Sequence, residues 1–171
     1  MNSLKDDEVG VTMEAREFVF AALAELAAQR ATRSELAGLR RELQRLGKLA
    51  ANASTTPNEF KLATYAYVQV LYGAARNARL NQIMRDLSEG VGHAFGHLSM
   101  ATQEMRQAEY EAYRDLTEAV AGRDKDKVHA LARRMHSTGV ARAQQLQAAI
   151  PAAVVEFRGR RRRTRPLSAT V

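Results

Sequence analysis

Two helix-start signals organise the first half of this chain. Thr32-Arg33-Ser34-Glu35 and Thr56-Pro57-Asn58-Glu59 each set a threonine hydroxyl to cap an orphan backbone N–H, with a glutamate placed to reach back to the threonine. Pro57 occupies the first helical position, where a missing N–H is harmless. Behind each signal runs an apolar stripe at helical spacing. Leu36, Leu39, Leu43, Leu46 and Leu49 follow the first; Phe60, Thr64, Tyr67, Val68, Leu71 and Ala75 follow the second. A chain punctuated in this way folds as successive amphipathic helices.

The same periodicity covers the rest. Val11, Ala15, Phe18, Val19, Ala22, Leu23, Leu26 and Ala27 predict a first helix from about Thr12 to Arg30. After a turn at Arg76-Asn77, Leu80, Ile83, Met84, Leu87, Val91, Ala94 and Leu98 predict a fourth. A fifth covers Thr102 to Ala121, with Gly122 as its C-cap. Asp124 caps a sixth, with Val128, Leu131, Ala132 and Met135 inward, and Ser137-Thr138-Gly139 is a place for a kink before the pattern resumes to Ile150. Nothing alternates as a strand does. The expected fold is all-α, an antiparallel bundle of six to seven helices spanning 12–157, between a flexible segment 1–11 and a disordered arginine-rich tail 158–171.

Composition excludes several classes of function. The 171 residues contain no cysteine, hence no disulfide framework, Cys-based zinc site or thiol nucleophile. No apolar run reaches membrane-spanning length and 1–10 is polar, which reads as a cytoplasmic protein. The net charge of +7 comes almost wholly from Arg158, Arg160, Arg161, Arg162, Arg163 and Arg165. The body is close to neutral, and the tail is either a solvated extension or a phosphate-contacting arm. There is no Gly-rich phosphate loop, His-Glu-x-x-His or Ser-His-Asp set, so no enzyme is expected.

All five tyrosines fall between 65 and 113. Buried phenols bring a large apolar ring and a hydroxyl that needs a partner, and several together suggest a lined cavity. On the third helix Thr64, Val68, Tyr72 and Tyr65 form one strip. They either line such a cavity or, in the case of Tyr65 and Tyr72, sit half-buried at the bundle edge. Tyr110 and Tyr113 lie on the fifth helix. His93 and His97 form an i, i+4 pair on the fourth, a spacing that can set two imidazoles on one metal, with a third ligand such as His129 or His136 required from elsewhere. The alternative is a polar stripe on solvent or on the cavity, where the imidazoles would bind an anionic effector.

Three segments in register resemble a known family. Arg16 through Thr32, ending Leu-Ala-Ala-Gln-Arg-Ala-Thr, is similar to the opening helix of the FCD domain, the effector-binding and dimerisation domain of FadR-type GntR transcription regulators. Glu59-Phe60 to Asn77 resembles its next signature, and Ala112 to Asp124 its late helix and Gly/Asp turn. The resemblance implies a bundle enclosing a small effector, often an organic acid or a fatty acyl compound, and a homodimer.

Many FCD domains also hold a divalent metal through Asp-x3-His on one helix and two later histidines. Those four slots fall here on Thr64, Val68, Tyr113 and Met135, none a good ligand for a hard cation, and His136 is one step around the helix from its slot. The resemblance therefore implies a cavity without the usual metal and no cofactor, with Thr64, Val68, Tyr113 and Met135 at its lining; Tyr65, Tyr72, His93, His97 and Tyr110 join them as candidates from their own helical spacing. Such regulators carry an N-terminal winged-helix domain that 1–11 is too short to hold, so DNA is expected to be a partner only through a domain absent from these residues. Two other readings stand beside this one. One is a metal-binding helical protein or enzyme built on His93 and His97; the other is a structural adaptor using its arginine tail on nucleic acid.

Overall fold

A computed structural model describes residues 6–88 and 100–149, and at 6–9, 136, 139, 140 and 142–149 it describes the backbone only. The described residues form six helices: α1 (Asp6–Arg30), α2 (Arg33–Ala51), α3 (Pro57–Ala75), α4 (Ala78–Ser88), α5 (Gln103–Ala121) and α6 (Lys125–Ala149). No strand occurs among them.

The local start signals act as expected. Thr32 and Thr56 are complete capping boxes: each hydroxyl accepts from the N3 backbone, at Glu35 and Glu59, and each glutamate accepts from the threonine N–H at 2.7 and 2.8 Å. Thr102 caps α5 through the Met105 N–H, and Asn77 caps α4 through the Leu80 N–H. A cap of this kind contributes about 1 kcal/mol.

Several boundaries differ from the sequence expectation. α1 begins at Asp6, so residues 6–11 extend the first helix. α6 runs through Ser137-Thr138-Gly139 without a break. The expected course of the fourth helix beyond Ser88 lies outside the described residues, as does the tail from 150 onward. Gly122 is the C-cap of α5, but its φ of −75° is ordinary right-handed backbone. The left-handed position is the next one, Arg123, at φ 57°. Arg123 N–H bonds to Val120 C=O and Asp124 N–H to Ala119 C=O, both at 3.2 Å, which is the double closure of a Schellman turn.

α1 is the hub. It packs against α3, α4, α5 and α6, while α2 packs against α3 and α5, and α5 against α6. This central place explains its alanines. Ala21, Ala24, Ala27, Ala28 and Ala31 are buried and let neighbours approach closely, while Leu23 is fully buried among them. The expected stripe is not wholly inward: Val11 and Phe18 are 67% and 50% exposed. Phe18 carries the Arg133 guanidinium 4.8 Å above its ring. Ile83, expected inward, is largely exposed on α4, and Met84 beside it is buried. The remaining core is Leu39 and Leu46 from α2, Phe60, Tyr67 and Leu71 from α3, Leu116 and Val120 from α5, and Val128 and Ala132 from α6.

α6 is also tied to α1 by two polar links, Glu17 to Arg133 at 2.6 Å and Glu25 to His129 Nδ1. Arginines bind the end of the bundle where α1 finishes. Arg123 Nη1 donates to the carbonyls of Ala28 at 3.1 Å and Gln29 at 2.8 Å, and Nη2 to Ala31 at 3.2 Å. Arg76, the left-handed residue ending α3, reaches the Arg30 carbonyl and forks onto the Glu35 carboxylate. The last carbonyls of a helix have no partner within it, and these guanidiniums supply one where the helix dipole is negative.

Candidate ligand-binding site

The tyrosines divide into two groups. Tyr67 of α3 and Tyr113 of α5 are buried and in ring contact, with centroids 4.6 Å apart and planes tilted by 58°. The α3 and α5 backbones do not approach closely, and these two rings bridge them. The Tyr67 hydroxyl lies 2.8 Å from Thr117 Oγ1, and Thr117 Oγ1 donates to the Tyr113 carbonyl at 2.7 Å. A hydroxyl has one hydrogen. Thr117 has committed its own to Tyr113, so Tyr67 is the donor in the first bond. Burial pushes the Tyr67 phenol well above its usual range, and the Thr117 bond opposes this only in part.

Tyr72, half-buried on α3, meets Phe20 of α1 edge-on with centroids 6.2 Å apart. Desolvation also raises the Tyr72 and Tyr113 phenols, and Glu109, one turn before Tyr113, adds to the rise there. Neutral phenols of this kind keep their O–H through the physiological range.

Arg16 stands on α1 one turn before Phe20, on the same face. Its guanidinium lies within electrostatic reach of both Tyr72 and Tyr113, and burial lowers its pKa. Nη1 donates to the Leu87 carbonyl at 3.4 Å and to Ser88 Oγ, at the end of the described part of α4. Its Nε is buried without a hydrogen-bond partner among the described residues. A buried cationic donor left unpaired costs on the order of 1–3 kcal/mol, so an unpaired Arg16 Nε is a place where an anion would be welcome. The sequence reading missed Arg16. The available signal was its register, since an arginine four residues before Phe20 interrupts the inward face of α1.

The other expected residues fall in different places. Thr64 is buried, and its hydroxyl donates to the Phe60 carbonyl of its own helix at 3.1 Å. Val68 is partly buried against the core. Tyr65 is 59% exposed, so the expectation that its ring lines the interior is corrected: position 65 lies beyond the edge of the inward face that Thr64, Tyr67 and Leu71 define. Tyr110 is partly buried, and its ring seats on Gly47 in the α2–α5 seam, where an added Cβ would stand 3.0 Å from Cε2. Met135 is buried and borders an open groove of about 210 Å³ between α5 and α6, together with Glu109, Glu111, Asp115 and Arg134. His93 and His97 lie outside the described residues, as do Arg158, Arg160, Arg161, Arg162, Arg163 and Arg165. His129 is engaged by Glu25.

The four slots in which the resembling family holds a divalent metal do not fit one here. Thr64 gives its proton to a carbonyl, Val68 has no donor atom, Tyr113 is held neutral by burial, and Met135 offers a soft thioether. Among the described residues no group of three or more His, Cys, Asp or Glu side chains is placed to hold a metal ion, and no helix is long and apolar enough to cross a membrane.

A family model for the FCD domain matches residues 12–138. No curated protein matches the chain.

Proposed function

Because this chain belongs to the FCD family, the effector-binding regulatory domains of GntR-type regulators, we propose that it senses a small organic acid or acyl compound inside the bundle without using the family's metal. The observation that carries this reading is Arg16. An inward guanidinium whose Nε has no hydrogen-bond partner among the described residues, within electrostatic reach of Tyr72 and Tyr113 and one turn from Phe20, suits an anionic or amphipathic ligand. Val68 and Met135 in two of the former ligand slots favour an apolar portion of that ligand over a fully polar one.

The mechanism is a population shift. A ligand that contacts α1, α3 and α5 together binds one packing of these helices better than another, and moves the equilibrium by its difference in affinity. α1 touches four other helices, so a change at Arg16 is felt across the bundle. The domain acts as a homodimer in this reading, supported by the exposed Val11, Phe18, Leu62, Tyr65 and Ile83 on α1, α3 and α4. Joined to a DNA-binding domain, the same shift would reset the spacing of the paired DNA-reading helices.

A thermal-shift screen of organic acids and acyl-coenzyme A compounds tests it. The reading expects saturable stabilisation by at least one class. A closely packed interior that binds none of them contradicts it.

A further inference from the structure

We propose that the exposed face of α2 is a docking surface for the phosphate backbone of duplex DNA, separate from the effector site and used without reading sequence.

The charge of the chain is unevenly placed. Outside the arginine run at 158–165 the chain is close to neutral, yet α2 alone carries five cations, Arg33, Arg40, Arg41, Arg45 and Lys48, against two carboxylates. All five cations are exposed. By helical geometry they fall within an arc of about 140°, opposite the buried Leu39 and Leu46. From Arg33 to Lys48 the face is about 22 Å long.

The two carboxylates do not neutralise this face. Glu35 is held by Thr32 and by Arg76 at the end of α3, so its charge is matched elsewhere. Glu42, partly buried at the margin of the arc, stands 4.0 Å from Arg41 and 3.9 Å from Arg45, one carboxylate between two guanidiniums. Arg33, Arg40 and Lys48 have no hydrogen-bond or ion-pair partner among the described residues. Arg41 and Arg45 are like-charge neighbours at i, i+4, and Arg45 and Lys48 at i, i+3. Such pairs repel along a helix, and a polyanion relieves the repulsion.

The chemistry of the face selects the occupant. Leu39 and Leu46 are buried, and Leu36, Leu43 and Leu49 pack against the core, so α2 offers no large apolar side chain to enter a bilayer. The same lack removes the anchor that centres a protein interface. No aromatic residue lies on α2, so the bases of a single strand would have nothing to stack on. Duplex RNA is told apart through its 2′-hydroxyls, to which a face made mostly of cations offers little. What remains is the set that contacts DNA phosphates, cations with the exposed Gln44 as a neutral donor between Arg40 and Lys48. The face is as long as about six base pairs.

The test uses the full chain and fluorescence anisotropy with short DNA duplexes of unrelated sequence, over a series of salt concentrations. Three proteins are compared: the unaltered chain, a triple variant with Arg33→Gln, Arg40→Gln and Lys48→Gln, and a double variant with Arg33→Lys and Arg40→Lys that keeps the charge. Circular dichroism establishes that each is helical. Should the triple variant fail to fold, Arg40→Gln and Lys48→Gln singly read the same effect in smaller steps. The arginines of 158–165 are present in every protein, so their share of the binding cancels in the comparison. The proposal expects the unaltered chain to bind every duplex with similar affinity. It expects the slope of log affinity against log salt to become shallower by roughly two to three units in the triple variant and to stay unchanged in the double variant.

No binding to any duplex at low salt overturns the proposal, and so does a folded triple variant that keeps the full slope. Single-stranded DNA, duplex RNA, polyglutamate or phosphatidylserine vesicles binding as tightly as the DNA duplex, with the same loss in the triple variant, overturns the assignment of the occupant.

Discussion

Tyr67 donates its phenolic proton to Thr117, and Thr117 passes its own to the Tyr113 carbonyl. Three residues on two helices thus form a directed chain in which Tyr67 only donates, and Thr117 both accepts and donates. Removing different members has different consequences. Thr117→Val leaves the Tyr67 hydroxyl fully buried with no acceptor, and urea denaturation is expected to show a loss of about 1–3 kcal/mol. Tyr67→Phe removes a donor while Thr117 keeps its bond to Tyr113, so a smaller loss of about 1 kcal/mol is expected. Equal losses, or the reverse order, would contradict the assigned direction.

Gly47 and Tyr110 make the second prediction. Alanine in a helix interior is more favourable than glycine by about 0.5–1 kcal/mol, but here its Cβ would press on the Tyr110 ring. In a Tyr110→Ala background, Gly47→Ala is expected to recover that gain. In the native background the gain is expected to shrink or reverse. Urea unfolding of the four proteins in this cycle checks the coupling, and additive effects would mean that the ring does not define the seam.

Arg123 tests the arginine bracket. Glycine is normally preferred at a left-handed helix end, so replacing a residue of φ 57° by glycine ordinarily helps. Arg123→Gly is expected to lower stability by about 1–2 kcal/mol instead, because it removes the guanidinium from the carbonyls of Ala28, Gln29 and Ala31. A stabilised variant would show those bonds to be inconsequential.

Much of the architecture was legible because its signals are local. The threonines at 32, 56 and 102 cap helices through residues three positions away, and such contacts depend on little else. What escaped depends on distant neighbours. Arg123 adopts the left-handed region beside an available glycine, Gly122, and its guanidinium bonds lie on α1, far off in sequence. Tyr65 and Tyr72 lie two turns apart on the same side of α3, and only the placement of α1 decides that Phe20 covers Tyr72 while Tyr65 stays exposed. Arg16 reads as a solvated charge until α3, α4 and α5 are packed around it. For the same reason the tyrosine cluster could be suspected from sequence, but the chain Tyr67–Thr117–Tyr113 could not, since Thr117 gives no local sign.

Acid should loosen the α2 start. Glu35 accepts from the Thr32 backbone and hydroxyl and from Arg76, and these bonds hold its carboxyl below the ordinary 4.5. A carboxylate with a lowered folded value contributes its stability above 4.5 and loses it as pH falls through that lower folded value. Melting temperature followed from neutral to acid pH should fall less steeply in Glu35→Gln than in the unaltered protein. Parallel curves would remove Glu35 from the acid response.

The central claim is that this FCD bundle binds its effector through an arginine and phenols in place of a metal. Calorimetric titration of the best ligand from an organic-acid screen tests it most directly, run on untreated protein, after exhaustive chelation, and after chelation with zinc restored. The account predicts the same affinity in all three. Binding that disappears on chelation and returns with zinc would contradict it.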